Sequence, residues 1–247
     1  MSKQALRQWV WDELTRTAEA AFPRPVHGRI PNFRGSSRAA ERLFDTPEYQ
    51  RASVLKVGPD APLHPVRTRA LRDGKIVYIP PPRLAGRFIE LDPARIPAGR
   101  ERAAASLAHA REYGREVPLP QIRPVSLIVS GSVAVARDGA RAGKGEGYSE
   151  LEYAALRALG HPDMPVATVV HPIQIVASVP WEEHDLSVDI IATPDELIRT
   201  HRRYPQPSAI DWERLGERLQ HMSALAEVRF TIDGVREAGG PAGTGAL

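Results

Sequence analysis

Cysteine is absent from the 247 residues. Disulfides, thiolate metal sites and cysteine nucleophiles are therefore excluded. No apolar run approaches the roughly 20 residues that span a bilayer, so no membrane partner is expected. Polar residues interrupt the N-terminus from the start, so no signal peptide is expected. Lysine is scarce, at Lys3, Lys56, Lys75 and Lys144, and arginine supplies the rest of the 33 basic residues. Thirty acidic residues oppose them, leaving a net charge of +3. A pI near 9.4 would suit a nucleic-acid binder. The charges are interspersed, however, and no basic run carries interleaved aromatics, so nucleic acid is not an expected partner. Hydrophobic content of 42% and charged content of 26% are ordinary for a globular chain. The expectation is a cytoplasmic monomer.

What the chain has is a glycine-spaced loop, Arg141-Ala142-Gly143-Lys144-Gly145-Glu146-Gly147-Tyr148-Ser149-Glu150. It follows an apolar segment, Val125 to Ala136, and precedes a periodic one, Leu151 to Leu159. That order reads as strand, loop, helix. Such a loop brings backbone N–H groups and a helix N-terminus to one anion. Glycine lets a ligand approach the backbone closely. G-x-G-x-G matches neither G-x-G-x-x-G nor G-x-x-x-x-G-K-[ST]. The spacing alone leaves two readings open, a phosphate cradle and a tight connection.

The residues around the glycines resemble the signature loop of the 5-formyltetrahydrofolate cyclo-ligase family, R-x-G-x-G-x-G-Y-Y-D-R. Arg141, Gly143, Gly145, Gly147 and Tyr148 match it. Ser149, Glu150 and Leu151 stand where that pattern has an aromatic, Asp and Arg. Lys144, Glu146, Leu151, Glu152 and Tyr153 fit a divergent branch that includes the methenyltetrahydrofolate synthetase domain-containing proteins. The likeness continues through Pro25–Ala40, through Ala70, Gly74, Lys75, Tyr78 and Pro82-Arg83-Leu84, and through Pro172, Gln174, Pro180, His184-Asp185, Asp189 and Thr193-Pro194. Gly58–Leu63 departs from the branch pattern N-P-D-S-P-Q, and Ser178 replaces a carboxylate.

The resemblance implies an α/β, three-layer domain, with a mostly parallel sheet and helices on both faces, over residues 1–236. Residues 237–247, short of side chains to bury, read as a disordered tail. Ser2 is placed as cap of a helix from Lys3 to Ala21, and Thr46-Pro47 as the start of another. Strands are expected at 53–57, 75–79, 87–91, 125–129, 166–170, 173–179, 186–192 and 229–235. Helices are expected at 65–72, 100–113 and 151–159, and Thr193-Pro194-Asp195-Glu196 reads as a capping box opening a last short helix.

The implied activity is ATP- and Mg2+-dependent conversion of 5-formyltetrahydrofolate to 5,10-methenyltetrahydrofolate through a phosphorylated formyl intermediate. Phosphoryl transfer needs positioning and cationic clamps more than a nucleophile. Lys144 and Arg141 are the candidate catalytic cations. Lys3, Arg7, Arg141, Gly143, Lys144, Gly145, Gly147 and Tyr148 are candidates for ATP. Arg29, Asn32, Phe33 and Tyr148 are candidates for the folate, and Glu150 and Asp189 for Mg2+. Members of the divergent branch that are not cyclo-ligases leave an alternative: an enzyme on a thiamine-related or phosphorylated metabolite, or a nucleotide- or folate-binding protein.

Overall fold

The computed structural model describes residues 1–201 and 203–238. Its helices are α1 (Lys3–Arg16), α2 (Ser36–Phe44), α3 (Pro47–Arg51), α4 (His64–Arg72), α5 (Glu101–Ala104), α6 (Ala110–Tyr113), α7 (Tyr148–Ala158), α8 (Trp212–Leu215) and α9 (Ser223–Ala238). Its strands are β1 (Val54–Val57), β2 (Ile76–Ile79), β3 (Phe88–Leu91), β4 (Arg115–Val117), β5 (Leu127–Val129), β6 (Ala134–Ala136), β7 (Arg141–Ala142), β8 (Val166–Val169), β9 (Ile175–Val176), β10 (Ile190–Ala192) and β11 (Leu197–Arg199).

Eight strands form one sheet in the order β11-β10-β8-β5-β1-β2-β3-β4. The five from β10 to β2 run parallel, and antiparallel β11, β3 and β4 complete the two edges. The central strands are short runs, apolar apart from Lys56 and Thr168, and buried along their whole length, as a sheet covered on both faces requires. Strand alternation divides them. Leu55, Val57, Leu127 and Val129 pack with α2 and α4. Val54, Ile128, Val166 and Ile191 pack with α7 and α9. The architecture is therefore a mostly parallel α/β sheet with helices on both faces, as expected.

A second sheet, β7-β6-β9, is small. Its alanines meet α1, which buries Leu6, Val10, Trp11 and Leu14 against it. Burial of each Leu or Val contributes about 2 kcal/mol. Ser2 caps α1 through its hydroxyl, as expected, but the helix stops at Arg16 and not at Ala21. Thr46 caps α3 with Pro47 following, also as expected.

Several expectations are corrected. The apolar run 125–136 is divided between two sheets: β5 ends at Val129, and after Ser130-Gly131-Ser132-Val133 the chain starts β6 in the small sheet. Gly131 is required there, because an added Cβ would lie 2.7 Å from Ile30 and 2.8 Å from Asp60 Oδ2. The expected strand 173–179 shrinks to β9, and 186–192 to β10. The expected helix at Thr193 is a hairpin turn into β11. Thr193 Oγ1 accepts from the N–H groups of Asp195 and Glu196, and strand pairing claims the next residues. The expected helix 100–113 breaks into α5 and α6. The expected strand 229–235 lies within α9, where Leu225 and Val228 share a buried face at helical spacing. The expected tail begins inside α9, and its residues 239–247 lie outside the described residues.

Candidate active site

Strand order decides where a ligand can enter. β1 and β5 are neighbours, but the chain leaves β1 toward β2 and leaves β5 toward β8, on opposite sides. Such a switch point opens a crevice at the carboxyl ends of the strands. A cleft of about 480 Å³ lies there. Pro59 and Asp60 line it beyond β1, Pro80–Arg83 beyond β2, and Gly131 beyond β5.

The glycine loop forms another wall, with Arg141 to Glu150 all on the cleft. Gly147, at φ +77°, caps α7 in the left-handed conformation. The first turn of α7 presents N–H groups with no intrahelical acceptor, and Tyr148, Ser149 and Glu150 border the cleft. Arg141 is buried. It donates from Nη1 to the Gly131 carbonyl at 2.6 Å and from Nε to the Leu186 carbonyl at 3.3 Å, and it pairs with Glu150. Gly143 packs against that guanidinium, 3.1 Å from where a Cβ would stand. Lys144 is half exposed and pairs with Glu146 at 2.7 Å.

The N-terminal pair reaches the same cleft. Arg7 Nε donates to the Gly143 carbonyl at 2.6 Å. Burial is the main influence lowering the Arg7 pKa, and nearby Glu150 opposes it. Lys3 Nζ donates to Asp185 Oδ1 at 2.7 Å and to Glu182 Oε1 at 3.3 Å. Every candidate for ATP therefore lies on one cleft, although α1 and the loop are far apart in sequence.

Other candidates lie elsewhere. The irregular segment at 25–33 meets the cleft through Ile30. Arg29 is exposed, and its carbonyl accepts from Trp11 Nε1 at 2.9 Å. Asn32 braces its own loop by donating to the Phe22 carbonyl at 2.7 Å. Phe33 is a core residue, edge-on to His171. Asp189 is absent from the cleft wall; its Oδ2 accepts from Val166 N at 2.8 Å and fixes the start of β8. Of the two metal candidates only Glu150 faces the cleft. The buried Asp185 faces it instead of Asp189.

Sequence reasoning missed several groups here, among them Asp60, Glu152 and Arg83 on the cleft wall and Lys56, the partner of Glu152. Asp60 is partly covered; burial pushes its pKa up, while Lys144, Arg67 and Lys56 pull it down. Lys56, in the middle of β1, forms a buried ion pair with Glu152 of α7. Burial raises the Glu152 pKa and the lysine opposes the rise. A lone lysine in an otherwise apolar strand was the available signal, because such a charge is retained only with a partner. Arg83 also faces the cleft, with left-handed backbone at φ +56° followed by Leu84 at +57°.

A profile of the 5-formyltetrahydrofolate cyclo-ligase family matches residues 1–194. The chain belongs to this family. Among curated relatives of this cyclo-ligase family member, the methenyltetrahydrofolate synthase domain-containing protein of Bos taurus is 41% identical over 240 residues, covering 93% of this chain. Its Homo sapiens counterpart is 39% identical, also over 93% of this chain. The chain spans 62% of the length of each. Among solved structures, the 5,10-methenyltetrahydrofolate synthetase of Aquifex aeolicus has the same fold, with a TM-score of 0.52 and 20% identity, over 83% of this chain and 95% of that one. Among the described residues of this cyclo-ligase family member, no helix is long and apolar enough to cross a membrane.

Proposed function

We propose that this chain uses ATP to close 5-formyltetrahydrofolate to 5,10-methenyltetrahydrofolate. The observation that carries the reading is the meeting of Lys3 and Arg7 with the whole loop from Arg141 to Glu150 on one cleft. Cations, loop N–H groups and a helix N-terminus together form a site for a polyphosphate.

In this reading the formyl oxygen attacks the γ-phosphorus and ADP leaves. N10 then attacks the activated formyl carbon and gives up its proton to solvent, and phosphate leaves with the electron pair of the C–O bond as the ring closes. Lys144 is the mobile cation beside the transferred phosphoryl group, because it is half exposed and, among the described residues, its ion pair is the exchangeable one with Glu146. Arg141, pinned by two carbonyls and Glu150, is the fixed one. Arg7 orients the loop through Gly143. Asp60 is an acceptor for donors on the folate ring.

Mg2+ takes one or two carboxylates and fills its remaining positions with phosphate oxygens and water. The donor set fits: Glu150 and Asp185 put hard oxygen ligands on the cleft, although among the described residues no cluster of three acidic or histidine side chains is preformed. When bound with the nucleotide, the ion neutralises phosphate charge. Glu150 and Asp185 would hold it, exchanging part of their pairing with Arg141 and Lys3.

The test is the near-ultraviolet absorbance of methenyltetrahydrofolate, followed with purified protein, 5-formyltetrahydrofolate and Mg-ATP. ATP-dependent growth that disappears in Lys144→Ala supports the reading. No growth, with Mg-ATP still bound, refutes it. One observation favours a second reading in that event: Ser149 lines the cleft where the family pattern has an aromatic. Less surface for ring stacking suits a nucleotide-dependent protein with a different second ligand.

A further inference from the structure

The family match ends at residue 194, yet the fold continues through β11, α8 and α9. This later part is built into the cleft. α9 buries Ala224, Leu225 and Val228 in the core it shares with α7. Ser223 Oγ accepts from Gly86 N at 2.7 Å, which fixes α9 beside the cleft segment 80–83. Arg218 Nη2 donates to the Glu146 carbonyl of the glycine loop at 2.9 Å.

Arg214 of α8 lines the main cleft and also a side pocket of about 210 Å³ beyond the glycine loop. Its backbone is set by Asp211, whose Oδ1 accepts from Arg214 N at 2.9 Å. Its guanidinium donates to His184 Nδ1 at 2.9 Å. Lys3, Arg141 and Lys144 each hold a carboxylate. Among the described residues, the side chain of Arg214 bonds only the His184 ring. An arginine fork on a cleft wall with no carboxylate at ion-pair distance among the described residues, only the longer-range charge of Glu182, is suited to two-point capture of an oxyanion.

We propose that Arg214, supplied by the segment beyond the family match, is a ligand-binding residue of this cleft that takes an oxyanion, a phosphate or a carboxylate. The inference rests on the reading that ATP and a folate share the cleft, since these are the two sources of such a group. The C-terminal segment is then part of the site, and its arginine adds a specificity contact that the first 194 residues do not contain.

The experiment is calorimetric binding to the full chain of three probes: Mg-ATP, tripolyphosphate and 5-formyltetrahydrofolate. Arg214→Ala weakens a phosphate ligand or a carboxylate ligand by about 10- to 100-fold, the loss of one charge-assisted pair. Loss on Mg-ATP and tripolyphosphate together assigns the phosphate. Loss on 5-formyltetrahydrofolate alone assigns the carboxylate. Arg214→Lys regains part of the affinity, because it restores charge without the fork. Arg214 is exposed, so both variants keep the parent melting temperature. Unchanged affinity of Arg214→Ala for all three probes overturns the proposal, as does failure of the unaltered chain to bind any of them. Arg214-dependent binding without turnover refutes the cyclo-ligase reading and leaves this one standing. Turnover with binding indifferent to Arg214 does the reverse.

Discussion

Arg7 Nε donates a 2.6 Å hydrogen bond to the carbonyl oxygen of Gly143, so α1 and the glycine loop form one unit. The guanidinium also lies along Gly145, where a Cβ would stand 3.3 Å from its central carbon, and Gly145 has φ +106°. Gly145→Ala therefore meets both backbone strain and a crowded arginine. The expected loss is about 1–2 kcal/mol of stability, read by chemical denaturation, with weaker Mg-ATP binding because Arg7 is displaced. Parent-like stability and affinity would show that the close approach is not required.

The Lys56–Glu152 pair is buried between β1 and α7. Removing one member leaves the other charged and enclosed. Lys56→Met is expected to cost about 3–5 kcal/mol. The double substitution Lys56→Met/Glu152→Leu should recover much of that loss, because no uncompensated charge remains. Equal losses in the single and double variants would mean that packing, not charge, governs this position.

Asp60 carries a pH prediction. Burial raises its folded pKa above the ordinary aspartate value. For such a group the folded state is penalised once the carboxyl ionises, so stability is lost as pH rises through the folded pKa. Asp60→Asn removes the penalty. The variant should be more stable than the parent at pH 8 and indistinguishable from it below the ordinary aspartate range. Denaturation curves at several pH values decide this, and a gap that widens toward acid would contradict it.

Arg83 and Leu84 both have left-handed backbone in the segment that lines the cleft. Relief at one such residue is worth about 1 kcal/mol, less about 0.5 kcal/mol for the added freedom of the unfolded chain. Arg83→Gly is thus expected to raise the melting temperature slightly while weakening anionic ligands, since it removes a cation from the cleft wall. A lower melting temperature would show that the arginine side chain stabilises this turn.

The glycine spacing, the Ser2 and Thr46 caps and the apolar central strands were legible in the sequence, because each depends on neighbours a few residues away. So was the family, carried by motifs in one continuous loop. Thr193 shows the limit: its hydroxyl accepts from the following N–H groups in a helix cap and in this hairpin alike, and only pairing with β10 selects the hairpin. Asp189 and Asp185 show it again, as two acids in one short segment of which folding brings only Asp185 to the cleft. The sequence by itself determined which groups were available and which short segments were preorganised. Only the tertiary structure decided which groups meet: Arg7 with Gly143, Lys56 with Glu152, Arg214 with the cleft. Such meetings depend on strand order and helix packing, and long-range geometry of that kind leaves no local pattern in the chain.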